Sequence, residues 1–127
     1  ISLAGSRLIK NLENGLRYQK IINLLNNGVT KPITRDDCLV SNSAEGDSVD
    51  VKDLFGETVY QLSSDGKMVS ASGQISPDGV VVSDLKFYWS CYASKSDVLG
   101  VKFTLDMTTT PSQSTNFYTE INMYNSF

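Results

Sequence analysis

The 127-residue sequence predicts an α+β fold: one N-terminal amphipathic helix packed on an antiparallel β-sheet. Two observations carry this expectation. Leu8, Ile9, Leu12 and Leu16 fall on one arc of a helix turning 100° per residue, while Arg7, Lys10, Arg17 and Lys20 fall on a largely different arc. From Val81 onward the apolar residues instead alternate, as Val81, Leu85, Phe87, Trp89 and Cys91, then Val101, Phe103, Leu105 and Met107, then Phe117, Ile121 and Met123. Asp84, Lys86, Lys102, Thr104, Asp106, Glu120 and Asn122 lie between them, the pattern of strands with one buried and one solvated face.

The helix is expected over 1–28. Its apolar stripe rotates: Ile21, Ile22 and Leu25 cluster opposite the first stripe, with Gly15 at the join. One face on a sheet requires one stripe, so the second implies a bend or a contact outside the domain. Asn26-Asn27-Gly28 supplies a stop, with Gly28 suited to the left-handed cap position. Residues 29–56, rich in Asp, Ser, Asn and Gly, read as an irregular connection with short strands at Cys38–Ser41 and Ser48–Lys52. The sheet is expected over 57–127. It opens with a hairpin in which Asp65-Gly66 forms a two-residue turn with both φ positive. Ser76-Pro77-Asp78-Gly79 presets a second turn into Val80–Tyr92, and Thr108–Ser114, with Pro111, links the last two strands.

Composition narrows the function. The length suits a single domain, and a hydrophobic fraction of 40% with three prolines argues against disorder. Cys38 and Cys91 leave open a bridge or two buried thiols; the bridge is the reading taken. It closes a loop of roughly 50 residues, contributes about 4 kcal/mol by chain entropy, and belongs outside the reducing cytosol. Charge is segregated. Residues 1–31 carry +4 and the remainder −7, with Asp36, Asp37, Glu45, Asp47, Asp50, Asp53 and Glu57 facing only Arg35 and Lys52. Both regions read as solvated surface or as a basic helix meeting an acidic loop on a neighbouring subunit.

The absence of histidine removes the usual general base and the commonest zinc ligand. No phosphate loop or dinucleotide fingerprint occurs, and no cofactor is expected. Asp36-Asp37, or Asp47 with Asp50, offer carboxylates for acid/base work or calcium, but without a glycine-centred calcium-loop spacing they read as solvated acids. Tyr88, Tyr92, Tyr118 and Tyr124 fall on outward registers and are candidates for one patch that binds a glycan, a peptide or another subunit. The acidic sheet region disfavours nucleic acid.

Several segments together resemble a family. The helix with Arg7, Leu8, Leu12, Gly15, Leu16 and Ile22, the Tyr60-Gln61-Leu62 strand before Asp65-Gly66-Lys67, and Val82-Ser83-Asp84-Leu85-Lys86-Phe87 followed by Gly100–Met107 and Asn116–Asn125 are similar to the soluble part of type IV pilin-like proteins, minor pilins and minor pseudopilins in particular. The likeness implies a non-enzymatic structural subunit of a type IV pilus, a competence pseudopilus or a type II secretion pseudopilus. Such a subunit is extracytoplasmic and membrane-anchored before assembly. Its partners are other pilin or pseudopilin subunits and, through an apolar helical half upstream of Ile1, the inner-membrane assembly machinery. The interface residues implied on the helix are Arg7, Leu8, Leu12, Leu16, Arg17 and Lys20. The alternative is a secreted β-rich binding or adhesin domain that uses the tyrosine patch. An enzyme would need two acids converging in a cleft.

Overall fold

The computed structural model describes residues 2–26, 31–108 and 113–124. In order these form α1 (Ser2–Leu16), β1 (Lys20–Leu25), β2 (Ile33–Thr34), α2 (Arg35–Leu39), β3 (Ser43–Gly46), β4 (Ser48–Asp53), β5 (Gly56–Leu62), β6 (Met68–Ser70), β7 (Gly73–Gln74), β8 (Val80–Ser90), β9 (Asp97–Met107) and β10 (Ser114–Met123). The expected single sheet is thereby corrected. The fold is β-rich, with 54% of the described residues in strands that divide between two antiparallel sheets, β2-β1-β4-β5-β6-β7 and β10-β9-β8-β3. The sheets are joined where the chain passes from β3, paired with β8, through Asp47 into β4, paired with β1 and β5.

The long helix is corrected with it. Only its first half is helical, and the second apolar stripe is β1. In β1 the buried residues are Ile21 and Leu24, three apart, because the ladder with β4 slips between Ile21 and Asn23. Such a bulge puts an apolar spacing of three into a strand, which in sequence mimics a helix. Helix α1 ends at Leu16 without a glycine cap. Its last carbonyls are served instead by Arg17 Nε, which donates to Glu13 O at 3.3 Å, and Gln19 Nε2, which donates to Gly15 O at 3.0 Å. The Gly28 cap, the Pro111 connection and Asn125 lie outside the described residues. The segment read as irregular holds β2, α2, β3 and β4, and the strand expected at Cys38–Ser41 is instead the end of α2, at Cys38 and Leu39, and the turn that follows it.

Leu8, Leu12 and Leu16 are fully buried in the core with Ile21, Leu24, Val49, Val51, Phe87, Trp89, Leu99, Val101, Phe103 and Leu105. Each such leucine stabilises the fold by roughly 1.5–3 kcal/mol. Helix α1 rests against β10 because residue 5 is glycine: a Cβ there would overlap the Phe117 ring, itself stacked on Phe103 at 5.4 Å. Strand β8 also bulges, between Ser83 and Lys86, with Asp84 at φ 52°. Its inward residues are therefore Val80, Val82, Leu85, Phe87 and Trp89, while Val81 is only half-buried.

The 64–66 turn keeps its place and changes its type. Ser63 N donates to Lys67 O at 2.7 Å and Gly66 N to Ser63 O at 3.1 Å, and only Gly66 has positive φ, at 78°. This is a three-residue loop with a glycine bulge.

Candidate functional site

Three surfaces hold the residues singled out from the sequence. On α1, Leu8, Leu12 and Leu16 face inward and are consumed by the domain's own core, so they offer a partner nothing. Arg17 lies 3.6 Å from Glu13 in an i,i+4 pair, and its carbonyl accepts from Tyr124 N at 2.7 Å. Lys20 is exposed at the start of β1, opposite Lys52. Arg7 and Lys10 are exposed, and neither forms an ion pair among the described residues. With Leu3 and Asn14 they make an outward arc opposite the leucine stripe.

The four tyrosines separate. Tyr88 on β8 and Tyr118 on β10 meet edge to face, 6.3 Å between centroids, across the intervening β9. Gly100 makes this possible: a Cβ there would lie 2.6 Å from the Tyr118 hydroxyl. Burial and the hydrogen bond to Glu120, 3.1 Å away, push the Tyr118 phenol up. Beside the pair runs a groove of about 410 Å³ lined by Asp84, Lys86, Tyr88, Lys102, Thr104 and Asn116. Lys86 and Lys102 stand directly opposite in the ladder; Lys86 is 3.7 Å from Glu45. The other two tyrosines lie elsewhere: Tyr124 packs on Tyr18 at 5.6 Å, and Tyr92 lies under the Lys95 ammonium at 4.1 Å.

The third surface centres on α2. Cys38 and Cys91 form the disulfide, with Cα atoms 6.4 Å apart, and no described cysteine is free. This bond is consistent with an oxidising, extracytoplasmic location. Helix α2 is nucleated by a capping box: Asp37 N donates to Thr34 Oγ1 at 3.3 Å and Thr34 N to Asp37 Oδ2 at 3.0 Å. These hydrogen bonds hold the Asp37 carboxyl below its ordinary value. Arg35 reaches from α2 into a buried cluster. Its Nη1 and Nη2 donate to Asp97 Oδ2 and Oδ1 at 2.6 and 3.1 Å, and Nη2 also donates to Tyr92 O. Trp89 Nε1 donates to Asp97 Oδ2 at 3.0 Å.

Sequence reasoning missed this cluster, because Arg35, Trp89 and Asp97 converge only through the fold. It also missed Leu54 and Phe55, whose setting Asp53-Leu54-Phe55-Gly56 was legible as a turn.

On the other sheet Asp50 and Glu57 line a shallow groove with Thr58, Val59 and Gln61. Desolvation first, then the Glu57 charge, pushes the Asp50 carboxyl above its ordinary value. Among the described residues no three His, Cys, Asp or Glu side chains gather as metal ligands, and no helix is long and apolar enough to cross a membrane. The groups present supply hydrogen bonding, aromatic faces and charge. Comparison with known proteins finds no matching family model, no matching curated protein and no matching solved structure.

Proposed function

We propose that this chain is a non-enzymatic, extracytoplasmic subunit of a type IV pilin-like filament, its outward helix arc turned toward neighbouring subunits. One observation carries the reading: α1 buries Leu8, Leu12 and Leu16 in its own domain while Arg7 and Lys10 stand outward, unpaired among the described residues. The segments that carry the resemblance support it further, since Val82–Phe87, Gly100–Met107 and the described part of Asn116–Asn125 fall on the adjacent strands β8, β9 and β10. The disulfide agrees with an exported protein. The two-stripe helix no longer contributes, because β1 accounts for the second stripe. Contacts with other pilin or pseudopilin subunits then fall to Leu3, Arg7, Lys10 and Asn14, with Arg17 and Lys20 peripheral.

The test is fractionation of the cells that make the protein. The account expects it in the sheared surface or pseudopilus fraction, and expects Arg7→Glu with Lys10→Glu to deplete that fraction at unchanged total abundance. Recovery of the wild-type protein only as a free secreted monomer would overturn the reading.

The groove lined by Tyr88, with the Tyr88–Tyr118 pair beside it, favours a second reading, a binding or adhesin domain. Ligand-dependent quenching of tyrosine fluorescence, lost in Tyr118→Ala, tests it.

A further inference from the structure

Strands β4 and β5 end in a turn with Asp53 at its first position and Gly56 at its fourth, the ordinary residues there, but with two large apolar side chains between them. Asp53 pairs with Gly56 as the last rung, so the loop is Leu54 and Phe55 alone. These side chains are 98% and 97% exposed, the extreme values among the described large apolar residues. Two-residue hairpin loops favour Asn, Asp and Gly, which accept positive φ. Leu54 and Phe55 do not have positive φ. The tip is nevertheless pinned, since Phe55 N donates to Asp53 Oδ1 at 2.7 Å. A lone exposed apolar residue is unremarked in proteins; two adjacent ones held out from an ordered turn are presented to something.

Charge indicates what that is. The hairpin carries Asp50, Asp53 and Glu57 against Lys52 alone, which disfavours an anionic lipid surface and suits a basic, partly apolar one. The chain itself has such a surface: Leu3, 65% exposed, with Arg7 and Lys10 on the outward arc of α1. The two lie at opposite ends of that helix. Gln19, just past its C-terminus, lines one depression with Asp53 and Phe55, whereas Leu3 is in its first turn, and a helix of 15 residues spans about 22 Å.

Resting on the filament reading and deepening it, we propose that the Leu54–Phe55 tip of one copy docks on the Leu3–Arg7–Lys10 face of a second copy, with Asp53 and Glu57 turned to the two cations. The apolar pair supplies the affinity and the rim charges set the register. Because donor and acceptor surfaces differ, the contact is heterologous, and it extends into an open filament where its rotation does not close a ring. It is small, so it is weak between free copies and is strengthened when subunits are held side by side.

Sedimentation velocity of the purified 127-residue chain at up to about 1 mM reads this directly. Two variants are compared, Leu54→Ser with Phe55→Ser, and Arg7→Glu with Lys10→Glu; all four positions are exposed, and unchanged melting temperatures confirm folding. The wild type should self-associate, and each variant should lose roughly tenfold or more in association constant. Mixed, the two variants should form a 1:1 complex and nothing larger, since each retains the half the other lacks. A monomeric wild type, association insensitive to either variant, or a mixture that stays monomeric overturns the docking. So does Phe55-dependent binding to phosphatidylcholine vesicles without self-association. None of these outcomes removes the filament reading, which is judged by fractionation of the producing cells.

Discussion

Arg35 and Asp97, 62 residues apart, meet through two parallel hydrogen bonds of 2.6 and 3.1 Å that fix α2 to the start of β9. Asp97 is fully buried, and the Arg35 side chain is one-quarter exposed. Removing the cation would leave a buried carboxylate with its Trp89 and Tyr92 donors but without its counter-charge. Arg35→Ala should therefore destabilise by about 3 kcal/mol, the lower end for a broken buried pair because the arginine is partly solvated. Urea unfolding measures this; a change within about 0.5 kcal/mol would mean that the pair contributes nothing specific.

Gly66 tests the turn. Its φ is 78°, and a Cβ would lie 2.6 Å from Val81 Cγ1. Gly66→Ala thus meets two penalties, backbone strain and a clash, together about 2 kcal/mol. Val81→Ala in the same chain should recover the steric part and leave the strain. Full recovery would place the whole cost in the clash.

The disulfide should leave no thiol titratable in the denatured, unreduced protein, since Cys38 and Cys91 are paired. Cys38→Ser with Cys91→Ser should lower stability by about 2–5 kcal/mol. Two reactive thiols in protein prepared from an oxidising compartment would contradict the exported assignment as well as the bond.

Asp50 sets a pH dependence of definite sign. Its folded carboxyl titrates above the unfolded one, chiefly through desolvation and then the charge of Glu57. The folded state therefore holds more protons between the two pKa values, and stability falls as pH rises through that window. Below the unfolded pKa there is no effect; above the folded pKa the loss is complete. Asp50→Asn removes this penalty while keeping a side chain of the same shape, so it should raise the melting temperature at pH 7 more than at pH 3. An equal shift at both would assign the effect to packing.

The sequence displayed most of the strands and little of their arrangement. β9 and β10 show in sequence the alternation of Leu99, Val101, Phe103 and Leu105 and of Ile121 and Met123, all of them buried, although Gly100 and Thr104 are buried on the other face of β9 as well. Bulges at Ile21–Asn23 and Ser83–Lys86 change the spacing from two to three, so β1 read as helix and Val81 as an inward residue. Division into two sheets was not legible, because the switch from β3 to β4 takes only Gly46 and Asp47, and Gly46, whose missing Cβ admits the Leu25 carbonyl, reads in sequence like any loop glycine. Of the site residues, the disulfide was readable from Cys38 and Cys91 alone. Of the four tyrosines only Tyr88 and Tyr118 come together, since Tyr92 and Tyr124 lie just past the ends of β8 and β10, where parity along a strand no longer fixes direction, and Tyr124 meets Tyr18.

The central claim is that the outward arc of α1 faces another subunit, and a photoreactive side chain at Asn14 tests it most directly. Asn14 is exposed and lies on the arc of Leu3, Arg7 and Lys10, so the probe leaves both cations and the core in place. Irradiated in the cells that make the protein, it should crosslink to pilin-like subunits, this chain or others, identified by mass spectrometry of the adduct. Absence of any subunit adduct from position 14, with the protein exported, disulfide-bonded and folded, would contradict the account.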